Sequence, residues 1–117
     1  MEYKMVLCVR NDIPMSVGKK CSQCAHAAVG CFQKAMEVSP ECIIEWESQG
    51  AKKVVVKIES VKEFEMMKQT CEELGVLYYE VVDAGKTEIS PGTITVLGVG
   101  PGPTVLIDVV TGDKQLL

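Results

Sequence analysis

A single histidine in 117 residues limits what this chain can do, because any Ser/His/Asp or Cys/His nucleophilic arrangement must use His26 or fail. No Gly-x-Ser-x-Gly nucleophile elbow is present to serve it. Long hydrophobic runs are missing too: nothing approaches the roughly 18 apolar residues of a membrane span. Met5 to Val9, flanked by Lys4 and Arg10, is too short for a secretory leader. The expectation is therefore a soluble protein without a membrane partner. Internal repeats, low-complexity stretches and linkers are absent as well. With 117 residues and 47% hydrophobic content the chain fits one domain, 1–117, around one core.

Cysteine is not scarce, but its arrangement is uninformative. Six cysteines without a leader, in a chain whose periodic apolar segments already supply a core, read as reduced thiols in a cytoplasmic protein. Cys21-Ser22-Gln23-Cys24 lacks the second ligand pair of a closed zinc site, so no metal is expected. A redox pair near a helix N-terminus fits the spacing better, where the macrodipole lowers a thiol pKa. A small, buried Cys24 is the plainer reading. The formal charge of −4 argues weakly against nucleic acid. Its distribution is uneven, however, with eight basic and six acidic residues over 1–57 against four and ten over 58–117. Lys4, Arg10, Lys19, Lys20, Lys52, Lys53 and Lys57 are the candidates for a basic face.

The pattern of elements is mixed. Met5 to Val9 reads as a central buried strand stopped by Asn11-Asp12 and Pro14. Cys21, Cys24, Ala25, Ala28, Val29, Phe32, Ala35 and Met36 recur at helical spacing, with small residues that let the helix lie close to a sheet. Ser39-Pro40 starts a second helix past Trp46 to Gly50. Lys53 to Ile58 is strand-like. Ser60 with Glu63 forms a capping box for a helix ending at Gly75. Leu77 to Val82 and Thr93 to Val99 are further strands, paired antiparallel, and Pro103 starts a last short helix before Thr111-Gly112. The order β, α, α, β, α, β, β, α predicts a mixed sheet covered by helices on both faces.

Chemistry concentrates in two stretches, Gly18-Lys19 with Gln23 to His26, and Asp83-Ala84-Gly85-Lys86-Thr87 with Pro91-Gly92 and Thr95. A cation, a carboxylate and hydroxyls set around strand ends are the parts of a polar reaction site, which makes an enzyme the leading reading. Asp83, at a strand end before a glycine, is either an aimed carboxylate or the cap of the following turn. Should the stretches converge, Lys19 would keep Asp83 ionised or bind a phosphate, and Thr87 and Thr95 would supply hydroxyl donors. His26 projects about 200° from Cys24 around a helix and suits a site-flanking role better than that of a general base. Gly98 to Pro103 resembles a phosphate-cradling loop, but its prolines remove the amides such a loop needs, and a rigid turn between strand and helix explains it equally well.

Together these pieces closely resemble the type II peptidyl-tRNA hydrolases of archaea and eukaryotes, over nearly the whole chain. The resemblance is carried by Met5-Val6-Leu7 with Val9-Arg10-Asn11-Asp12, Gly18-Lys19, Gln23-Cys24, His26-Ala27-Ala28, Lys53 to Lys57, Asp83-Ala84-Gly85 with Thr87, Pro91-Gly92, Thr95 to Gly98, Gly100 to Pro103, Ile107-Asp108 and Thr111-Gly112. It implies a three-layer α/β/α fold with a four-stranded mixed β-sheet, often a homodimer. It further implies hydrolysis of the ester joining a peptide to the 3′ end of tRNA, with no cofactor. The family's catalytic cluster corresponds to Lys19, Asp83, Thr87 and Thr95, with His26 near the cleft and Arg10, Lys20 and Lys86 as further substrate contacts. Lys86 stands where arginine is common, and Cys21 adds a second cysteine. The membrane-anchor and ubiquitin-associated extensions of some eukaryotic members have no counterpart, so a free cytoplasmic enzyme or a lone catalytic domain is expected. The rivals are an adaptor protein on the same fold and a CxxC thiol oxidoreductase.

Overall fold

In the computed structural model, which describes residues 1–85 and 89–117, the fold is organised around a central strand buried over most of its length. β1 (Tyr3–Arg10) is buried from Met5 onward, so it must be covered on both faces and paired on both edges. It pairs in parallel with β2 (Lys53–Ile58) and antiparallel with β4 (Ile94–Pro103), and β3 (Tyr78–Val82) closes the far edge antiparallel to β4. The resulting four-stranded mixed sheet has the order β2-β1-β4-β3. Four helices cover it: α1 (Val17–Val38), α2 (Pro40–Ser48), α3 (Val61–Leu74) and α4 (Thr104–Thr111). Beyond α4 the chain returns along β2, where the Lys57 and Leu117 amides donate to Gln115 and Val55. The expected α/β architecture and strand pairing are therefore found.

Alternation along the strands gives two cores. Val6, Cys8, Leu97 and Val99 meet Phe64, Met67 and Cys71 of α3 and Ile107 of α4 on one face. Met5, Leu7, Val9, Val81 and Val96 meet Ala27, Cys31 and Ala35 of α1 and Trp46 of α2 on the other. On this second face α1 approaches β4 so closely that a Cβ on Gly98 would lie 2.5 Å from the Cys31 sulfur.

Three local expectations differ from the structure. The buried face of α1 is Gln23, Ala27, Gly30, Cys31 and Ala35, not the stripe Cys21 to Met36, of which only Ala35 is buried while Cys21, Ala25, Val29 and Met36 are exposed. The inner face contains a glutamine and a glycine, which apolar periodicity passes over. The capping box does not form: the Glu63 carboxylate accepts from the amide of Glu59, one residue before Ser60, at 2.9 Å, and the Ser60 side chain makes no cap. Gly98 to Pro103 is strand rather than turn, and Gly100-Pro101 falls at the register shift between Lys4 and Val6, a bulge where proline's missing N–H does no harm.

Candidate active site

Ser16 caps α1, its hydroxyl accepting from the Lys19 amide at 3.2 Å, and so places Lys19 in the first helical turn. A cation there opposes the helix macrodipole, and α1 has no acidic residue of its own in that turn. The missing anion comes from Asp83, just past β3, whose Oδ1 accepts from the Lys19 ammonium. Asp83 is only 4% exposed. Its backbone is tied to the start of β4 in both directions, the Asp83 amide donating to Thr93 at 2.9 Å and the Gly92 amide to the Asp83 carbonyl at 3.0 Å. Oδ2 accepts the Gly85 amide at 2.8 Å, so Asp83 caps its turn as well as pairing with Lys19. The two stretches singled out in the sequence thus meet through Lys19 and Asp83.

Thr95, one strand inward, is fully buried. Its hydroxyl accepts from the Gln23 side-chain amide at 2.7 Å and points its own proton at the Val81 carbonyl, 3.4 Å away. With its hydroxyl engaged on both sides, Thr95 ties the Gln23 side chain of α1 to the sheet beside the Lys19–Asp83 pair. Gln23 lines a cleft of about 460 Å³ with Lys19, Ser22, His26 and Asp83, extending to Tyr79. Gln23 is the site residue that the sequence reading left without a role. The available signal was its helical register with Lys19 and Ala27, which aims it at the sheet.

The remaining candidates are spread out. His26 is exposed and lines the same cleft. Arg10 does not line it: its guanidinium forms a two-pronged pair with Asp12, both contacts 2.8 Å, and donates to the Ile94 carbonyl at 3.3 Å. These hydrogen bonds raise the Arg10 pKa and hold the Asp12 carboxyl below the usual carboxylate range. Lys20 turns to Asn11, 3.2 Å away, beside a separate apolar hollow. Lys86 and Thr87 lie outside the described residues. Cys21 is exposed and Cys24 half-buried, both free thiols past the first turn of α1, and burial pushes the Cys24 thiol pKa up. Beyond the first turn the helix dipole no longer activates a thiol, so the redox reading loses its physical basis. Among the described residues no group of three or more His, Cys, Asp or Glu side chains is set to hold a metal ion.

A cation and carboxylate buried together at one end of a polar cleft are suited to holding a water and stabilising negative charge on a carbonyl oxygen. The family model described as peptidyl-tRNA hydrolase PTH2 matches residues 3–117. The chain belongs to this family. It is 45% identical over 116 residues to a peptidyl-tRNA hydrolase of Thermococcus sibiricus, covering 99% of this chain and 98% of the relative. It is 40% identical to one of Thermoplasma volcanium over the full length of both. Against "Peptidyl-tRNA hydrolase 2, mitochondrial" of Bos taurus it is 46% identical over 115 residues. That match covers 98% of this chain and spans 64% of the length of the bovine relative. Membership in the PTH2 family accounts for the α/β fold. The rival adaptor and oxidoreductase readings draw no support from these relatives.

Proposed function

We infer that this chain hydrolyses the ester between a peptide and the 3′ end of tRNA, releasing free tRNA for reuse in translation. The observation that carries this reading is the buried Lys19–Asp83 pair opening into the cleft, in a chain of the PTH2 family. Asp83 orients a water and takes its proton as the oxygen attacks the ester carbonyl. Lys19, with the Gln23 amide held by Thr95, stabilises the oxyanion. As the intermediate collapses, the bond from the carbonyl carbon to the tRNA 3′ oxygen breaks, the leaving oxygen collects the proton, and the peptide departs as a carboxylic acid. Thr87 belongs to the same cluster by family resemblance, and His26 flanks the substrate. Lys20, Lys86 and the lysines of β2 are the candidates to meet tRNA phosphates, so affinity falls steeply with salt. Arg10 contributes by bracing β1 against β4. Assembly as a homodimer and a cytoplasmic location accompany this reading.

The test is release of free tRNA from a peptidyl-tRNA, compared with an aminoacyl-tRNA whose amine is unblocked. Turnover of the first and not the second is expected. Absence of release from the peptidyl-tRNA would remove the hydrolase reading.

A further inference from the structure

The cleft is longer than an ester needs. It runs from the Lys19–Asp83 pair to Gln33 and Tyr79, lined on one side by α1 and on the other by six consecutive residues, 79 to 84. Successive strand side chains point to opposite faces, so an unbroken run lines a cleft only where the strand presents its backbone edge. β3 is an edge strand, and its pairing shows which groups that edge offers. The Gly100 amide donates to the Leu77 carbonyl, and the Asp83 amide donates to Thr93, so Leu77, Tyr79, Val81 and Asp83 turn their polar groups towards β4. The alternate residues Tyr78, Glu80 and Val82 face outward. Lys34 marks that side by donating to the Tyr78 carbonyl at 2.7 Å.

Charge separates the two halves of the substrate as occupants. Lys19 is neutralised by Asp83, and the Glu80 carboxylate is turned to Lys68 at 2.6 Å. The cleft lining therefore holds no unpaired cation among the described residues, whereas a phosphodiester chain calls for several. A neutral backbone with donors and acceptors in alternation fits. Near the far end Tyr79, 40% exposed, brings its ring against α1 where Gly30 has no side chain; a Cβ there would fall 2.3 Å from the ring. Exposed Val29 adjoins it, completing a small apolar platform.

We propose that this cleft binds the peptide of the substrate as an extended strand added parallel to β3, its esterified C-terminus at Asp83 and a side chain about four residues upstream resting on Tyr79. Given the hydrolase activity inferred above, the polarity follows from where the ester must sit. The separation of Asp83 and Tyr79 along β3, roughly 13 Å at the strand rise, sets the length of peptide read. Main-chain bonds to Glu80 and Val82 accept any peptide sequence.

Three substrates on the same tRNA test this: an N-acetyl-aminoacyl ester, an acetylated tetrapeptidyl ester, and that tetrapeptide with its internal amides N-methylated. Two net hydrogen bonds of ordinary strength predict a kcat/KM about thirtyfold higher for the tetrapeptide than for the single residue, expressed in KM, and lost on N-methylation. Tyr79→Ala should raise KM for the tetrapeptidyl ester by a larger factor than for the N-acetyl-aminoacyl ester, and equal factors would remove Tyr79 as the resting place of an upstream side chain. Equal kcat/KM for all three substrates overturns the peptide groove while the hydrolase reading stands. No release from any of them overturns both.

Discussion

The two faces of the sheet are built differently, and the contrast separates stability from chemistry. Under α3 and α4 the core is built of apolar side chains, from Val6 and Ile58 to Phe64, Met67 and Ile107, and the buried Thr111 hydroxyl of α4 donates within its own helix to the Ile107 carbonyl at 3.2 Å. Under α1 the same sheet meets small residues, and the space they save admits polar groups: Gln23 on Thr95, and Lys19 on Asp83. Burial of polar groups costs free energy unless each finds a partner. Among the described residues no buried side-chain nitrogen or oxygen lacks a hydrogen bond. One face thus holds the sheet, and the other uses that rigidity to keep a cation and a carboxylate out of water.

A pair of substitutions should break this contrast most clearly. Asp83→Asn removes the proposed proton acceptor and should depress kcat by about 10²–10⁴-fold, with the chain still folded. Phe64→Ala, on the apolar face, should lower the unfolding free energy by about 3–5 kcal/mol while the folded fraction keeps its kcat. Denaturant unfolding and single-turnover hydrolysis on both variants make the check. If Phe64→Ala instead lost kcat without losing stability, the division of labour between the faces would collapse.

The apolar face was also the easier one to read. Val61, Phe64, Met67, Cys71 and Leu74 recur at helical spacing, and of these Phe64, Met67 and Cys71 are buried, Leu74 is half-buried and Val61, at the helix start, is exposed; the unbroken run Met5 to Val9 marked the strand at the centre of the sheet. On the other face periodicity misled, because α1 turns Gln23, Ala27 and Gly30 inward and leaves Val29 and Met36 outside. Close packing selected small size there, and a hydrophobic pattern carries no term for size. Lys19 and Asp83 stood out as residue types at strand and helix ends, but 64 residues separate them, so their meeting depended on the order of strands rather than on spacing. The engagement of Thr95 with Gln23 likewise arises only once α1 lies on β4.

Thr95→Val sharpens the comparison at intermediate size. It leaves the buried Gln23 amide without its acceptor and should cost about 1–3 kcal/mol of stability together with part of kcat. Adding Gln23→Leu removes the orphaned group, and replacing both partners by apolar side chains of similar shape is nearly neutral. The double variant should therefore regain stability without regaining activity, whereas a purely structural pair would restore both.

The smallest effect concerns Arg10 and Asp12, where β1 leaves the sheet. The Arg10 hydrogen bonds lower the Asp12 pKa below its unfolded value. Stability from this pair is therefore fully present above the ordinary carboxylate pKa of about 3.9, and is lost as pH falls through the lower folded value. The Asp12 side chain is 28% exposed, so solvent screening limits the contribution to about 0.2–1 kcal/mol. Asp12→Asn should thus be slightly less stable than the parent at pH 7, with the two unfolding curves converging once the pH has fallen below the lowered pKa of folded Asp12. Persistence of the difference in acid would mean that the loss came from packing and not from charge. The same variant frees the guanidinium: were Arg10 a tRNA contact in waiting, Asp12→Asn would bind tRNA more tightly and with a steeper salt dependence. As a brace between β1 and the Ile94 carbonyl, Arg10 should leave the salt dependence unchanged.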